Sequence, residues 1–322
     1  MRLWMLAISL FLAASSSLAQ NADIFAAGYS LPAPTPIAPG QVITFFVSGL
    51  TPTAEEMSPS ERQPGTVSVA ANALPLPYKL AGISANLLSG EIAVPIMAVS
   101  SSNTCLLSAP APGLPCGAII GVTVQVPFEL PLDRGFSPPN IIFLTISDDS
   151  GHSGAVRVIA ETDQIHIVAN GALALPSAAG VVTHGDGTMV SNTHQAKPGE
   201  ELVMYAFGLG ITTPTVKAGV ASPIPAPATH ATFALNVDYG VNISASPGPV
   251  LFNPSSGRTP VFTGLTPGYV GLYQINFIVP PPPIGLPACS GPSGGPVVSN
   301  LTVTLVGGAS FDGAAICVAT AP

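Results

Sequence analysis

An all-β protein made of two tandem β-sandwiches is what this 322-residue sequence predicts, and three observations carry that expectation. Its apolar segments are short, alternating and rich in β-branched and aromatic residues, and they are bounded by Gly and Pro. No stretch sustains a helical period, because prolines interrupt nearly every candidate window. The same grammar also occurs twice: Pro39-Gly40 and Gly49-Leu50 recur, equally spaced, as Pro198-Gly199 and Gly208-Leu209. The closing segments repeat at the same offset, Ile142–Ile146 as Leu301–Leu305 and Gly154–Ala160 as Gly313–Ala319. Random β-rich sequence does not keep one offset at both ends of a unit, so the chain reads as a tandem duplication.

Taken in order, Met1–Ala19 reads as a secretory signal peptide. Met1-Arg2 is its positive start, Leu3–Ala14 its apolar core, and Ser17-Leu18-Ala19 a small-residue cleavage site. The apolar run is too short to cross a bilayer, and no later stretch is longer, so no membrane span is expected. Residues 20–163 form the first sandwich and 164–322 the second, with about seven strands in each. In the first, Gln41–Leu50 is a strong strand, Thr66–Ala70 a half-buried one, Leu80–Val99 supplies one or two more, and Gly117–Pro127 is central. In the second, Lys197–Leu209 repeats the first strong strand and Phe233–Val237 alternates. Gly264–Pro280 is its centre: a Thr266-Pro267-Gly268 turn, then a strand from Tyr269 to Val279, stopped by Pro280–Pro283.

Hydrophobic residues make up 47% of the chain and charged residues 7%, so Ser, Thr, Asn, Gln and backbone must supply the polar surface. The 33 glycines and 36 prolines come with abundant Val, Ile, Leu and Phe, which favours a packed core over disorder. Net charge is −8, and Arg62, Lys79, Arg134, Arg157, Lys197, Lys217 and Arg258 stand singly. A chain with no basic stripe has no footprint for nucleic acid.

Four cysteines in an exported chain read as two disulfides, with three possible connectivities. Cys105 and Cys116 flank a Pro/Gly-rich loop and are expected to pair locally, which leaves Cys289 to pair with Cys317. A metal site would need closely spaced cysteines with histidines nearby, and the sequence has neither. No cofactor is expected.

Three segments carry a family resemblance: Lys197–Gly210 (KPGEELVMYAFGLG), His184–Val190 (HGDGTMV) and Gly264–Pro280 (GLTPGYVGLYQINFIVP). They resemble the hallmark segments of the Solibacter-type uncharacterised C-terminal domain, found in secreted bacterial proteins. The resemblance covers most of the mature chain, more faithfully in its second half. It implies Ig-like sandwich units related to the IPT/TIG type. It brings no activity and no catalytic residues with it.

Candidate chemistry is sparse. Gly291–Gly295 formally matches G-x-S-x-G, but a nucleophile elbow needs a strand before and a helix after, and this serine lies in a Pro/Gly loop. His152, His166, His184, His194 and His230 are scattered, with no pair spaced to share a face. His184-Gly185-Asp186-Gly187 reads as a β-turn in which Asp186 bonds backbone and Gly187 takes positive φ, rather than as a metal site. Asp148-Asp149 reads as a solvated turn, and Glu55, Glu56 and Glu61 as an exposed insertion. The one tryptophan, Trp4, lies in the signal, so any sugar-stacking platform would have to use Tyr269 or Tyr273, which more naturally serve core or interface. The expected function is a non-enzymatic structural or adhesive module outside the cell, with an extracellular protein or polysaccharide as partner. Polysaccharide binding is the rival reading and secreted hydrolysis the third.

Overall fold

The computed structural model describes residues 22–27, 34–53, 68–102, 119–132, 141–170, 179–229, 231–242, 257–289 and 299–320. Those residues are all-β: the only helical turn among them is a short 3₁₀ segment at Leu88–Gly90. Met1–Ala19, Cys105, Cys116, His230, Gly291–Gly295 and the Glu55–Glu61 insertion lie outside the described residues.

Two sheets enclose the first hydrophobic cluster, which draws on residues 22–160. One runs in the order Asp23–Ala27, Val42–Ser48, Ile119–Gln125, Ile96–Ser102, Ser68–Ala70, with every neighbouring pair antiparallel. The other runs Thr35–Ile37, Ser153–Ala160, Ile141–Ser147, Ile83–Leu87, Lys79–Leu80, with Ile92–Val94 also on Ile83–Leu87. In that sheet Thr35–Ile37 pairs in parallel with Ser153–Ala160. Strict alternation selects the inner face: Ile43, Phe45 and Val47 of Val42–Ser48 point inward, while the residues between them are half-buried.

The second cluster draws on residues 165–318 and has the same plan. Its larger sheet runs His166–Ile167, Glu201–Phe207, Tyr273–Ile278, Phe262–Leu265, Ala228–Thr229, Thr212–Thr213, with Val182–Thr183 also on Glu201–Phe207. Its smaller sheet runs Gly257–Arg258, Ala234–Asn242, Ser299–Val306, Phe311–Ile316. A parallel bridge, Ala196 with Val318, stands where Thr35–Ile37 pairs in the first half.

The sequence repeat has a physical cause. Val42–Ser48 and Glu201–Phe207 each follow a glycine at positive φ (Gly40, +75°; Gly199, +82°) and each end at another (Gly49, +81°; Gly208, +78°). An L side chain is strained there, so glycine marks both ends of both strands. Their partners repeat in register as well: Val42 faces Gln125, and Glu201 faces Ile278.

Two expectations need correction. Leu80–Val99 holds parts of four strands, Lys79–Leu80, Ile83–Leu87, Ile92–Val94 and Ile96–Ser102, because tight turns at Ala81-Gly82 and Leu88–Gly90 fold it back on itself. The central strand of the second half begins at Tyr273, not Tyr269. Thr266 N–H bonds the Leu272 carbonyl, so the turn runs through Gly271 (φ +65°) before the ladder starts.

Candidate functional site

The two halves meet through a small set of buried polar and close-packed groups. Gln125, fully buried at the end of its strand, accepts the Gly219 N–H on Oε1 at 2.6 Å, and the Gly219 carbonyl accepts the Leu76 N–H at 2.7 Å. One residue of the second half is thereby held on both its backbone groups by the first. Phe128, from the first half, packs against the second core. A Cβ at Gly271 would stand 2.7 Å from Val42 Cγ2 and 2.8 Å from the Gly40 carbonyl, so glycine is what allows this approach. Gln125 Nε2 and Gln41 Nε2 have no partner among the described residues, polar atoms that the close packing encloses.

Tyr273 lies beside the same joint, in the core place favoured for it over a sugar platform. It is fully buried; its hydroxyl donates to the Gly210 carbonyl at 2.5 Å and lies 3.4 Å from the Pro39 carbonyl of the first half. Burial pushes its phenol well above the usual range. A ring sealed in this way cannot stack on a sugar. Tyr269 is the surface residue of the two, 59% exposed, in the turn before the strand. Its carbonyl accepts the Ser222 N–H, which places it near exposed Val220 and Ile224.

The linker is fastened by one carboxylate that the sequence did not single out. Asp163, fully buried, accepts N–H groups of Gly308, Ala309 and Ser310 and the Ser310 hydroxyl at 2.7–3.2 Å. It thereby holds the turn between the last two strands against the linker. Gly208 leaves room for the same linker, since a Cβ there would run into the Gln164 carbonyl.

In the first half, Asp148 does the corresponding work, which corrects its reading as solvated. Its side chain is inaccessible, and it accepts from Thr51 N (2.8 Å), Ser150 N and His152 N (each 2.9 Å) and meets the His152 ring at 2.7 Å. Burial alone would raise this carboxyl, but hydrogen bonds from the His152 ring, Thr51 N and His152 N outweigh it and hold it low. Asp149 is the solvated member, at 2.5 Å from Lys79.

The His184–Gly187 turn is as the sequence predicts: Gly187 has φ +85°, and Asp186 Oδ1 accepts the Thr188 N–H and hydroxyl. His166 is largely buried, which pushes its ring down, while nearby Asp312 opposes. Among the described residues no group of three His, Cys, Asp or Glu could hold a metal ion. Cys289 and Cys317 form a disulfide with Cα atoms 5.4 Å apart.

Two concavities accompany these features. One, about 340 Å³, lies between the halves and includes Gln41, Phe46, His166 and Phe207. Thr35 and Gln41 border it, but their unpartnered Oγ1 and Nε2 are sealed from solvent, so they do not offer themselves to its open space. The other, about 390 Å³, is bordered by Val69–Ala73 and Lys79. Among the described residues no helix is long and apolar enough to cross a membrane.

Comparison with family models and with curated proteins finds no match.

The joint escaped the sequence reading for a physical reason. Gln125 and Gly219 are 94 residues apart, and a single Gln before Pro127 looks like a solvent-facing strand end. The available signal was the pair of glycines, Gly40 and Gly271, beside the two central strands.

Proposed function

We propose that this protein is an exported, non-enzymatic module of two Ig-like sandwiches, serving a structural or adhesive role at or outside the cell surface. The carrying observation is the joint: Gln125, Gly219 and Leu76, packed beside Gly40 and Gly271, make the two halves one fixed unit rather than beads on a tether. Such a unit holds a set spacing between whatever its two ends contact.

The Ig-like reading draws support from strand order. Taking the first-half strands as A (Asp23–Ala27), A′ (Thr35–Ile37), B (Val42–Ser48), C (Ile83–Leu87), D (Ile96–Ser102), E (Ile119–Gln125), F (Ile141–Ser147) and G (Ser153–Ala160), one sheet is A-B-E-D and the other A′-G-F-C. The second half repeats A-B-E-D and C-F-G, with Ala196 standing for A′. The resemblance of Gly264–Pro280 to the Solibacter-type domain, the signal-like start and the Cys289–Cys317 disulfide support an extracellular setting.

The test is capture: mature protein, immobilised, against solubilised envelope proteins, run beside a glycan array. Saturable capture of one protein partner supports the proposal. Glycan binding without a protein partner favours the rival reading, for which exposed Tyr269 beside Val220 and Ile224 is the specific observation. Turnover on ester, peptide or glycoside panels overturns the non-enzymatic reading.

A further inference from the structure

One imidazole fastens three successive turns in the second half. His184 sits in the turn of a hairpin in which Val190 N–H bonds the Val182 carbonyl and Thr183 bridges Met189. Its Nδ1 meets Glu200 Oε1 at 2.6 Å, and its Nε2 meets the His194 carbonyl at 3.2 Å. His194 closes the next turn, where Ser191 N–H bonds the same carbonyl. Glu200 closes the third, its Oε2 accepting the Lys197 N–H at 2.8 Å. Both groups that face the ring, a carboxylate and a carbonyl, accept and cannot donate. Only the doubly protonated ring satisfies both at once; a neutral ring turns a lone pair on one of them.

We propose that His184 is a proton-operated latch, closed as imidazolium across Glu200 and the His194 carbonyl, that holds the 184–200 segment in order and releases it when the ring loses its proton. The titratable groups around it are Asp186 on its own turn, His194 on the second, and Lys197 and Glu200 on the third. Glu201, the next residue, turns away to accept from Asn276 Nδ2 at 2.9 Å. The surroundings agree with the geometry. The Glu200 hydrogen bond holds the His184 ring above its usual value against the effect of burial, with the His194 carbonyl and Asp186 assisting. For Glu200, burial is outweighed by the His184 ring and the Lys197 N–H, so its carboxyl stays low. His184 is 14% and Glu200 25% exposed, so bulk water screens the pair only in part.

The sign follows. The raised His184 contributes fully below its unfolded value and is lost as pH rises through its folded value; the lowered Glu200 is lost as pH falls through its own. The latch is therefore closed between the folded values of Glu200 and His184, and opens as pH rises through the raised value of His184. Gln195 Nε2, donating to the Cys289 carbonyl at 3.5 Å, ties the latched segment to the disulfide end of the fold.

The test is an imidazole NMR titration of the whole mature chain from about pH 5 to about pH 9, with amide exchange over 184–199 corrected for its intrinsic pH dependence. His184 is expected to titrate above the ordinary histidine value of about 6.5, and protection to fall about tenfold as it does. His184→Gln is expected to lack that fall. Glu200→Gln keeps an acceptor for the Lys197 N–H and is expected to lower the His184 titration. A His184 titration at or below the ordinary value overturns the proposal, as does the same fall in protection in His184→Gln. Should His184→Gln not fold, an unchanged His184 titration in Glu200→Gln overturns it equally.

Discussion

Gly40 and Gly199 provide a controlled experiment on the joint. They occupy the same place in the repeated turn and have nearly the same backbone, φ +75° and +82°. Alanine at either imposes the left-handed strain of a Cβ, about 1–2 kcal/mol. It also stiffens the unfolded chain equally, so that contribution cancels in the difference. Their surroundings differ. A Cβ at Gly199 meets nothing within 4 Å, whereas one at Gly40 would lie 2.6 Å from Phe128 Cζ and closer still to the Tyr273 hydroxyl. Phe128 packs, partly buried, against the second core and Tyr273 is fully buried, so a clash with these rings disturbs that core. Overpacking of this kind costs about 1–3 kcal/mol. Gly40→Ala should therefore be less stable than Gly199→Ala by about 1–3 kcal/mol. Urea unfolding followed by circular dichroism measures both, since the lone Trp4 lies in the signal-like segment and gives no core reporter. Equal losses in the two variants would mean that the first half does not press on the second at Gly40, and the joint argument would fail.

Tyr273→Phe leaves the Gly210 carbonyl without its donor in a sealed site and is expected to cost about 1–3 kcal/mol. Tyr239→Phe, whose half-buried hydroxyl donates to the Pro280 carbonyl, should cost less because water can replace it; denaturant midpoints that reverse this order would contradict the assignment. Burial raises the Tyr239 phenol to about 12, so spectrophotometric titration should find it ionising well after an exposed tyrosine. Asp148 is held below its usual value, so its stabilisation is present at neutral pH and lost as pH falls through that folded value. Asp148→Asn should flatten the acid limb of the stability curve, and an acid limb parallel to that of the parent would remove Asp148 from the account. Replacing Cys289 and Cys317 by Ala should cost about 3 kcal/mol, given the 28-residue separation, and thermal melts with and without reductant would show it.

Periodicity and punctuation made much of this fold legible. The Gly40–Gly49 and Gly199–Gly208 frames were visible because positive φ at those strand ends favours glycine. The His184–Gly187 turn was visible because Asp and Gly at those positions have a local reason to be there. What stayed hidden depends on contacts between distant segments. Counting the strand from Tyr269 places Tyr269 and Tyr273 on one face, since residues four apart share a side. The detour through Gly271 breaks that parity and sends one ring out and the other in; it is held by bonds to Ser222, more than forty residues earlier, and fits closely against the neighbouring half. Two adjacent aspartates in a turn look hydrated until Thr51, 97 residues earlier, brings its N–H to Asp148. The site is less legible than the fold because its parts, Gln125, Gly219 and Leu76, are ordinary residues whose roles arise from assembly.

The parallel pairing of Thr35–Ile37 with Ser153–Ala160 has a consequence for biogenesis. A strand near the beginning of the first half finds its ladder partner only when that half's last strand exists, so a ribosome must have released the chain past Ala160 before this sheet can close. The second half has closures of the same kind: Ala196 meets Val318, and Cys289 meets Cys317. Pairings so distant along the chain make for slow acquisition of structure. Each half therefore stays open until its own last strand has emerged.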